Sequence, residues 1–151
     1  VITIGIRAAP KVVTFAVYDS DSRTVINVEE IKIPVAFSLP DRLKYVRSNL
    51  LDVLREYKIV QAGIRETEPA AQSSNIERIQ IESIIQEAFA SSELKGYYVG
   101  QIASISAKIG IDRTAFKPLV EGSREYHVEN WTAMTAAARE AVLCAVGAVN
   151  A

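Results

Sequence analysis

Ile2, Ile4 and Ile6 alternate with Val1, Thr3 and Gly5, so residues 1–6 predict a strand. Pro10 interrupts it, and the apolar run from Val12 to Tyr18 predicts a second strand paired with the first around Ala8-Ala9-Pro10-Lys11. The cluster Asp19-Ser20-Asp21-Ser22 is a turn, and a third strand follows from Thr24 to about Pro34. The period then changes. Pro40-Asp41 marks a helix start, and Leu43, Val46, Leu50, Leu54 and Tyr57 recur at helical spacing. Ile59 to Glu66 reads as a short buried strand ended by Pro69. Ser73, Ser74 or Asn75 caps a second helix, whose apolar stripe is Ile81, Ile84, Ile85, Ala88 and Phe89.

Gly96 to Ala103 predicts a fifth strand, on which Tyr97 and Tyr98 point to opposite faces. Ser104 to Ile109 is a short helical segment. Residues 110–130, with Pro118, Gly122 and many charges, read as a loop with a little helix. The last helix runs from about Trp131, read as a core anchor, to Val149. The order β-β-β-α-β-α-β-α predicts an α/β fold. Its mixed five-stranded sheet has a three-stranded antiparallel meander and two parallel strands, flanked by helices. The triplets Gly5-Ile6-Arg7 and Gly63-Ile64-Arg65 are too short to count as an internal repeat.

Composition narrows the function classes. The 151 residues suit one domain, 1–151, with a sizeable core. Formal net charge is −1, so no global field draws the chain to nucleic acid or to a membrane. No apolar stretch reaches the roughly 20 residues that span a bilayer, and Ala141 to Val149 reads as a buried helix. Cys144 is the only cysteine, which excludes an intramolecular disulfide and a cysteine zinc cluster and fits a cytoplasmic location. His127 is the only histidine, which argues against a His-rich metal site or a Ser-His-Asp triad. Neither a Walker loop nor a dinucleotide Gly-x-Gly-x-x-Gly motif occurs. The chain starts at Val1 rather than Met, which leaves room for a segment upstream, a removed signal peptide included.

Three short motifs carry chemistry. The first strand ends Gly-Ile-Arg and turns through small residues into the second, in "IGIRAAPKVVTFAVYD". The fourth ends in Glu66, in "AGIRETE". The last helix carries "AAAREAVLCAV", residues 136–146. In this order they resemble the ribonuclease H-like superfamily, and within it the RuvC-type Holliday-junction resolvases. The resemblance implies a ribonuclease H-like sheet and carboxylates from separate elements converging on two divalent ions that clamp a scissile phosphate. It also implies a homodimer. It places Glu66 and Glu140 on two of the family's acids, as catalytic and metal-ligand candidates, with Ala137 where a second acid of the last helix would stand. The first-strand acid is replaced by Arg7, whose guanidinium cannot ligate a cation. An actin-like ATPase, another branch of this fold group, is set aside because Ala8-Ala9-Pro10 supplies no glycine and Arg7 no acid.

The expectation is therefore a non-catalytic ribonuclease H-like domain in which Arg7 pairs with Glu66 or Glu140, no cofactor is held, and the role is binding of structured nucleic acid or a protein partner. Glu68 lines the same site, two residues beyond Glu66. Lys108, Arg113 and Lys117 are candidate phosphate contacts, diluted by Asp112, Glu121, Glu125 and Glu129. Asp112, in Gly110-Ile111-Asp112, reads as a cap or turn residue. The alternative is a magnesium- or manganese-dependent nuclease with a rearranged acid set of Glu66, Glu68, Glu140 and Asp112. The plainest readings are a solvent-facing Arg7, solvated Glu66 and Glu68, and a Glu140 at the polar edge of a buried helix.

Overall fold

The structure is a computed structural model that describes residues 1–69, 73 and 75–151. Strands β1 (Ile2–Ala8), β2 (Val12–Asp19) and β3 (Thr24–Lys32) form the antiparallel meander, and β4 (Gln61–Arg65) and β5 (Gly96–Gly100) join it in parallel, in the order β3-β2-β1-β4-β5. Two antiparallel steps leave β3 parallel to β1. The carboxyl ends of β1, β3, β4 and β5 thus share one edge of the sheet.

Alternation along the strands gives the sheet two faces, each with its own core. One face carries Ile4, Ile6, Phe15 and Ile64 against α1 (Leu39–Glu56) and α2 (Ile76–Ser91). The helical spacing read in the sequence buries Val46, Leu50 and Leu54 of α1, and Ile81, Ile85, Ala88 and Phe89 of α2. Asn75 caps α2 by accepting the Arg78 amide N–H, and Ser74 lies outside the described residues. The other face carries Ala16, Tyr18 and Tyr98 against α5 (Ala136–Gly147), with α3 (Ile102–Ile109) and α4 (Phe116–Glu121) beside it. Tyr97 is exposed and Tyr98 buried, as the opposite-face reading requires.

The approach of α5 to the sheet is set by a missing side chain. A Cβ on Gly5 would stand 2.0 Å from the carbonyl oxygen of Ala141 and 2.2 Å from the amide nitrogen of Ala145. The Thr3 hydroxyl, two residues away on the same face, donates to the Ala145 carbonyl at 2.6 Å. Strand and helix backbones are therefore in direct contact, and α5 runs opposite to β1 so that its N-terminus lies at the strands' carboxyl edge.

Two boundaries differ from the sequence reading by more than two residues. The fifth strand ends at Gly100 rather than Ala103, because the Ser104 hydroxyl accepts the Gln101 amide N–H and starts α3 at Ile102. The last helix does not start at Trp131. That residue opens a short helical turn, Trp131–Ala133, and Thr135 caps α5 by accepting the Ala138 amide N–H. The break is held by buried Arg139, which donates to the carbonyls of Val120, Trp131 and Met134. Trp131 itself is buried, its indole N–H on the Leu119 carbonyl. Residues 110–130 contain α4 and a short turn, Arg113–Ala115. Among the described residues no helix is long and apolar enough to cross a membrane.

Gly5→Ala is expected to destabilise by about 3 kcal/mol, because the overlap is with backbone that cannot rotate away. A thermal melt checks it, with a Tm lowered by about 6–12 °C for a chain of this size; an unchanged Tm would mean that α5 does not sit this close. Cys144, fully buried with its thiol pKa pushed up by desolvation, should resist a thiol reagent in the native protein and react fully in denaturant. Rapid native labelling would show that α5 opens.

Candidate functional site

β1 and β4 are adjacent and parallel, and their register pairs Gly5 with Gly63, Ile6 with Ile64 and Arg7 with Arg65. The two Gly-Ile-Arg triplets dismissed as a repeat thus lie side by side. Each position has one job on both strands. The glycines face α5: a Cβ on Gly5 would meet its backbone at Ala141 and Ala145, and one on Gly63 would meet the Tyr98 ring at 2.3 Å and the Cys144 carbonyl at 3.0 Å. The isoleucines point to the opposite face and are fully buried. The arginines, two residues beyond the glycines, return to the α5 face at the carboxyl edge.

Glu140, one residue before the closest contact of α5 with Gly5, receives both arginines. Its Oε1 lies 3.2 Å from Arg7 Nε and 3.0 Å from Arg65 Nε. Arg65 and Glu140 are about nine-tenths buried, with side chains 9% and 12% exposed, whereas Arg7 keeps 26%. Arg7 Nη1 also donates to its neighbour's carbonyl at Ala8, and Arg65 Nη1 to that of Glu66. The Phe116 ring lies 5.9 Å from Arg65 Cζ. One oxygen shared by two guanidinium groups in low dielectric is a strong interaction, and removing the shared partner is costly.

Of the two partners expected for Arg7, the structure gives Glu140 and not Glu66. Glu66 lies just beyond β4, where its carboxylate accepts from Gln101 Nε2 at 3.2 Å. Glu68 accepts the amide N–H of Ile102 at 2.7 Å, at the N-terminus of α3, and lies 3.3 Å from Arg65 Nη1. A carboxylate suits that position because the first helical N–H groups lack intrahelical acceptors. The segment after β4 is thereby fastened to α3 through both acids.

A second ion pair borders the first. Arg78, in the first turn of α2, has Nε 2.8 Å from Oε2 of Glu82, which is 2% exposed and also accepts from the amide and hydroxyl of Thr67. Burial pushes the Arg78 pKa down, and the positive charge of Arg7 pushes it further; Glu82 and Glu140 act the other way. Through Thr67, two residues beyond Arg65, the Arg78–Glu82 pair is held at the same carboxyl edge as the other two guanidinium groups. Arg65, Arg78 and Glu82 were not singled out from the sequence. The signal for Arg65 was the twin triplet; a buried acid on a helix whose apolar residues run all round leaves no comparable mark.

The basic candidates lie on α3 and on the turn and helix that follow it. Lys108 stands at the far end of α3 from Ile102, its ammonium on the Asn150 carbonyl at 3.1 Å and 4.8 Å above the Tyr98 ring. Arg113 and Lys117 are exposed. The Asp112 carboxylate accepts from the Thr114 amide and hydroxyl, capping the turn that follows. Among the described residues no three of His, Cys, Asp and Glu are placed to hold one metal ion.

Sheet order, the helices on both faces and an acid-bearing last helix over β1 and β4 define a ribonuclease H-like fold of the RuvC type. The chain superposes on Thermus thermophilus RuvC in complex with a Holliday junction substrate with a TM-score of 0.70 at 12% identity, over 97% of this chain and 92% of that one. Another Thermus thermophilus RuvC structure gives 0.69 at 11% identity, over 97% and 92%. The yeast mitochondrial Holliday junction resolvase gives 0.53 at 12% identity, over 96% and 77%. By sequence, no protein-family model and no curated protein matches.

Glu140→Gln is expected to destabilise by about 3 kcal/mol, since it leaves two guanidinium groups facing a neutral amide. Glu66→Gln should cost less than about 1 kcal/mol, since it weakens one partly exposed hydrogen bond. Urea denaturation of both variants checks the contrast; equal losses would show that Glu140 is not the hub.

Proposed function

We propose that residues 1–151 form one RuvC-like domain that does not hydrolyse phosphodiesters and acts by binding. The observation that carries this reading is the Arg7–Glu140–Arg65 arrangement. The divalent ions that the resemblance implies need oxygen donors around an open position. Here Glu140 Oε1 is held within 3.2 Å of two guanidinium nitrogens, one from the residue in place of the first-strand acid. Glu66 and Glu68 are engaged with Gln101 and with the start of α3. The residues present do not fit a magnesium or manganese pair, and no step through such ions is drawn.

Structured nucleic acid is the partner that the fold favours, because the likeness to RuvC bound to a Holliday junction runs over nearly the whole of both chains. Arg113 and Lys117 are free enough of the surface to add phosphate contacts, whereas Lys108 is committed elsewhere. One observation favours a protein partner instead: Val35 and Phe37, just before α1, and Ile76 and Ile79, at the start of α2, are exposed large apolar residues near the same sheet edge. The homodimer implied by the resemblance belongs to this reading, with solution mass as its check. A cytoplasmic location belongs to it too, supported by the single buried thiol.

Calorimetric titration with Mn²⁺ and Mg²⁺ tests the reading. The wild-type protein should show no saturable binding, and Arg7→Asp, once shown to be folded, should gain it. Saturable binding by the wild type that disappears in Glu66→Ala would overturn the proposal in favour of a metal-dependent nuclease.

A further inference from the structure

The arginine edge has more donors than acceptors. A guanidinium carries about five N–H donors and no acceptor, so Arg7, Arg65 and Arg78 together bring about fifteen. The carboxylates within reach are Glu140, shared by two of them, Glu68, whose Oε1 also serves α3, and Glu82, which also serves Thr67. The deficit shows at individual atoms. Arg65 Nε and Arg78 Nε are buried nitrogens near carboxylate oxygens, yet among the described residues neither has a hydrogen-bond acceptor, because the N–H is not directed at the oxygen. Charge is held there by distance alone. The three guanidinium groups also repel one another, and the depressed pKa of Arg78 reflects that repulsion together with burial. Buried donors without acceptors are costly, and a native protein keeps few of them unless something fills the gap.

We propose that the edge formed by Arg7, Arg65 and Arg78 is a binding site for a tetrahedral oxyanion of the phosphate class. This rests on the reading above that the site holds no metal. A phosphate group supplies several acceptor oxygens and negative charge to forked donors that match its geometry. Arg7 and Arg78 keep part of their surface in solvent, with side chains 26% and 19% exposed, and offer the approach. Arg65, deeper and braced by Phe116, forms the floor. Glu140 holds the two strand arginines in place. The same chemistry fits a phosphodiester of a nucleic-acid backbone and a free phosphate.

The test is binding in the presence of EDTA to two probes: inorganic phosphate, by calorimetry, and a fluorescein-labelled four-way DNA junction, by anisotropy. The site requires that the wild type bind at least one of them saturably. Arg7→Gln and Arg78→Gln should each weaken that binding by about tenfold or more, the loss of one charge-assisted hydrogen bond. Arg55→Gln, at the far end of α1 and paired with Asp52, should leave it unchanged. Junction binding that the arginine variants weaken identifies backbone phosphate; weakening confined to the inorganic probe identifies free phosphate. Binding of neither probe, or binding equally tight in both arginine variants, overturns the site. If either glutamine variant fails to fold, Arg7→Lys and Arg78→Lys replace it, which keep the charge and lose the fork, and the same loss is required. Junction cleavage by the wild type in Mn²⁺ would sink the non-hydrolytic reading while leaving an EDTA-insensitive oxyanion site in place, so the two failures are told apart.

Discussion

Everything at the carboxyl edge of this sheet depends on how closely α5 lies on β1 and β4. A helix packed on a sheet through ordinary side chains stands off by roughly 10 Å, as layers generally do. Here glycine at position 5 removes the spacer and the backbone of Ala141 and Ala145 presses onto the strand, while at Gly63 the Tyr98 ring fills the space beside the Cys144 carbonyl. That contact fixes the height of Glu140 above the sheet. An arginine two residues further along either strand then meets its carboxylate with Nε rather than reaching past it. Packing and electrostatics are here one constraint, since a helix raised by one methyl group would part the ion pairs.

Much of the fold was legible because alternation and helical spacing are strong signals. The antiparallel meander, the parallel addition of β4 and β5 and the burial faces of α1 and α2 follow from them. The sequence misled where side-chain bonds override periodicity. Ser104 starts a helix inside "GYYVGQIA", so that the strand stops three residues short of its reading, and Arg139 gathers carbonyls from two segments, so that Trp131 and α5 are separate elements. Both are local hydrogen-bond choices that apolar patterning does not encode.

The candidate site was half legible. Arg7 was expected to pair with Glu66 or Glu140, and it pairs with Glu140. Glu66 and Glu68 lie on the right loop but serve α3, a role visible only once that helix is known to begin at Ile102. Arg65 was hidden in plain view. Its triplet matches that around Arg7, and as a sequence repeat three residues mean little; as facing rungs of a parallel ladder they mean that both strands solve the same packing problem with the same residues. Arg78 and Glu82 carried no signal, because an i,i+4 charge pair on a helix is ordinarily a solvated one.

The single shared oxygen of Glu140 also bears on how this edge can change over evolutionary time. Its three residues are unequal. Arg7 can be lost while Glu140 still keeps a cation in Arg65, and its own site is part solvent. Loss of Glu140 first would strand the Arg65 guanidinium in the interior. Substitution is therefore ordered: position 7 is the entry point, and positions 65 and 140 follow only in concert. A lineage leaving this arrangement would pass through forms altered at the first strand and intact on the other two elements, and one arriving at it would set the Arg65–Glu140 pair in place before Arg7 joined it.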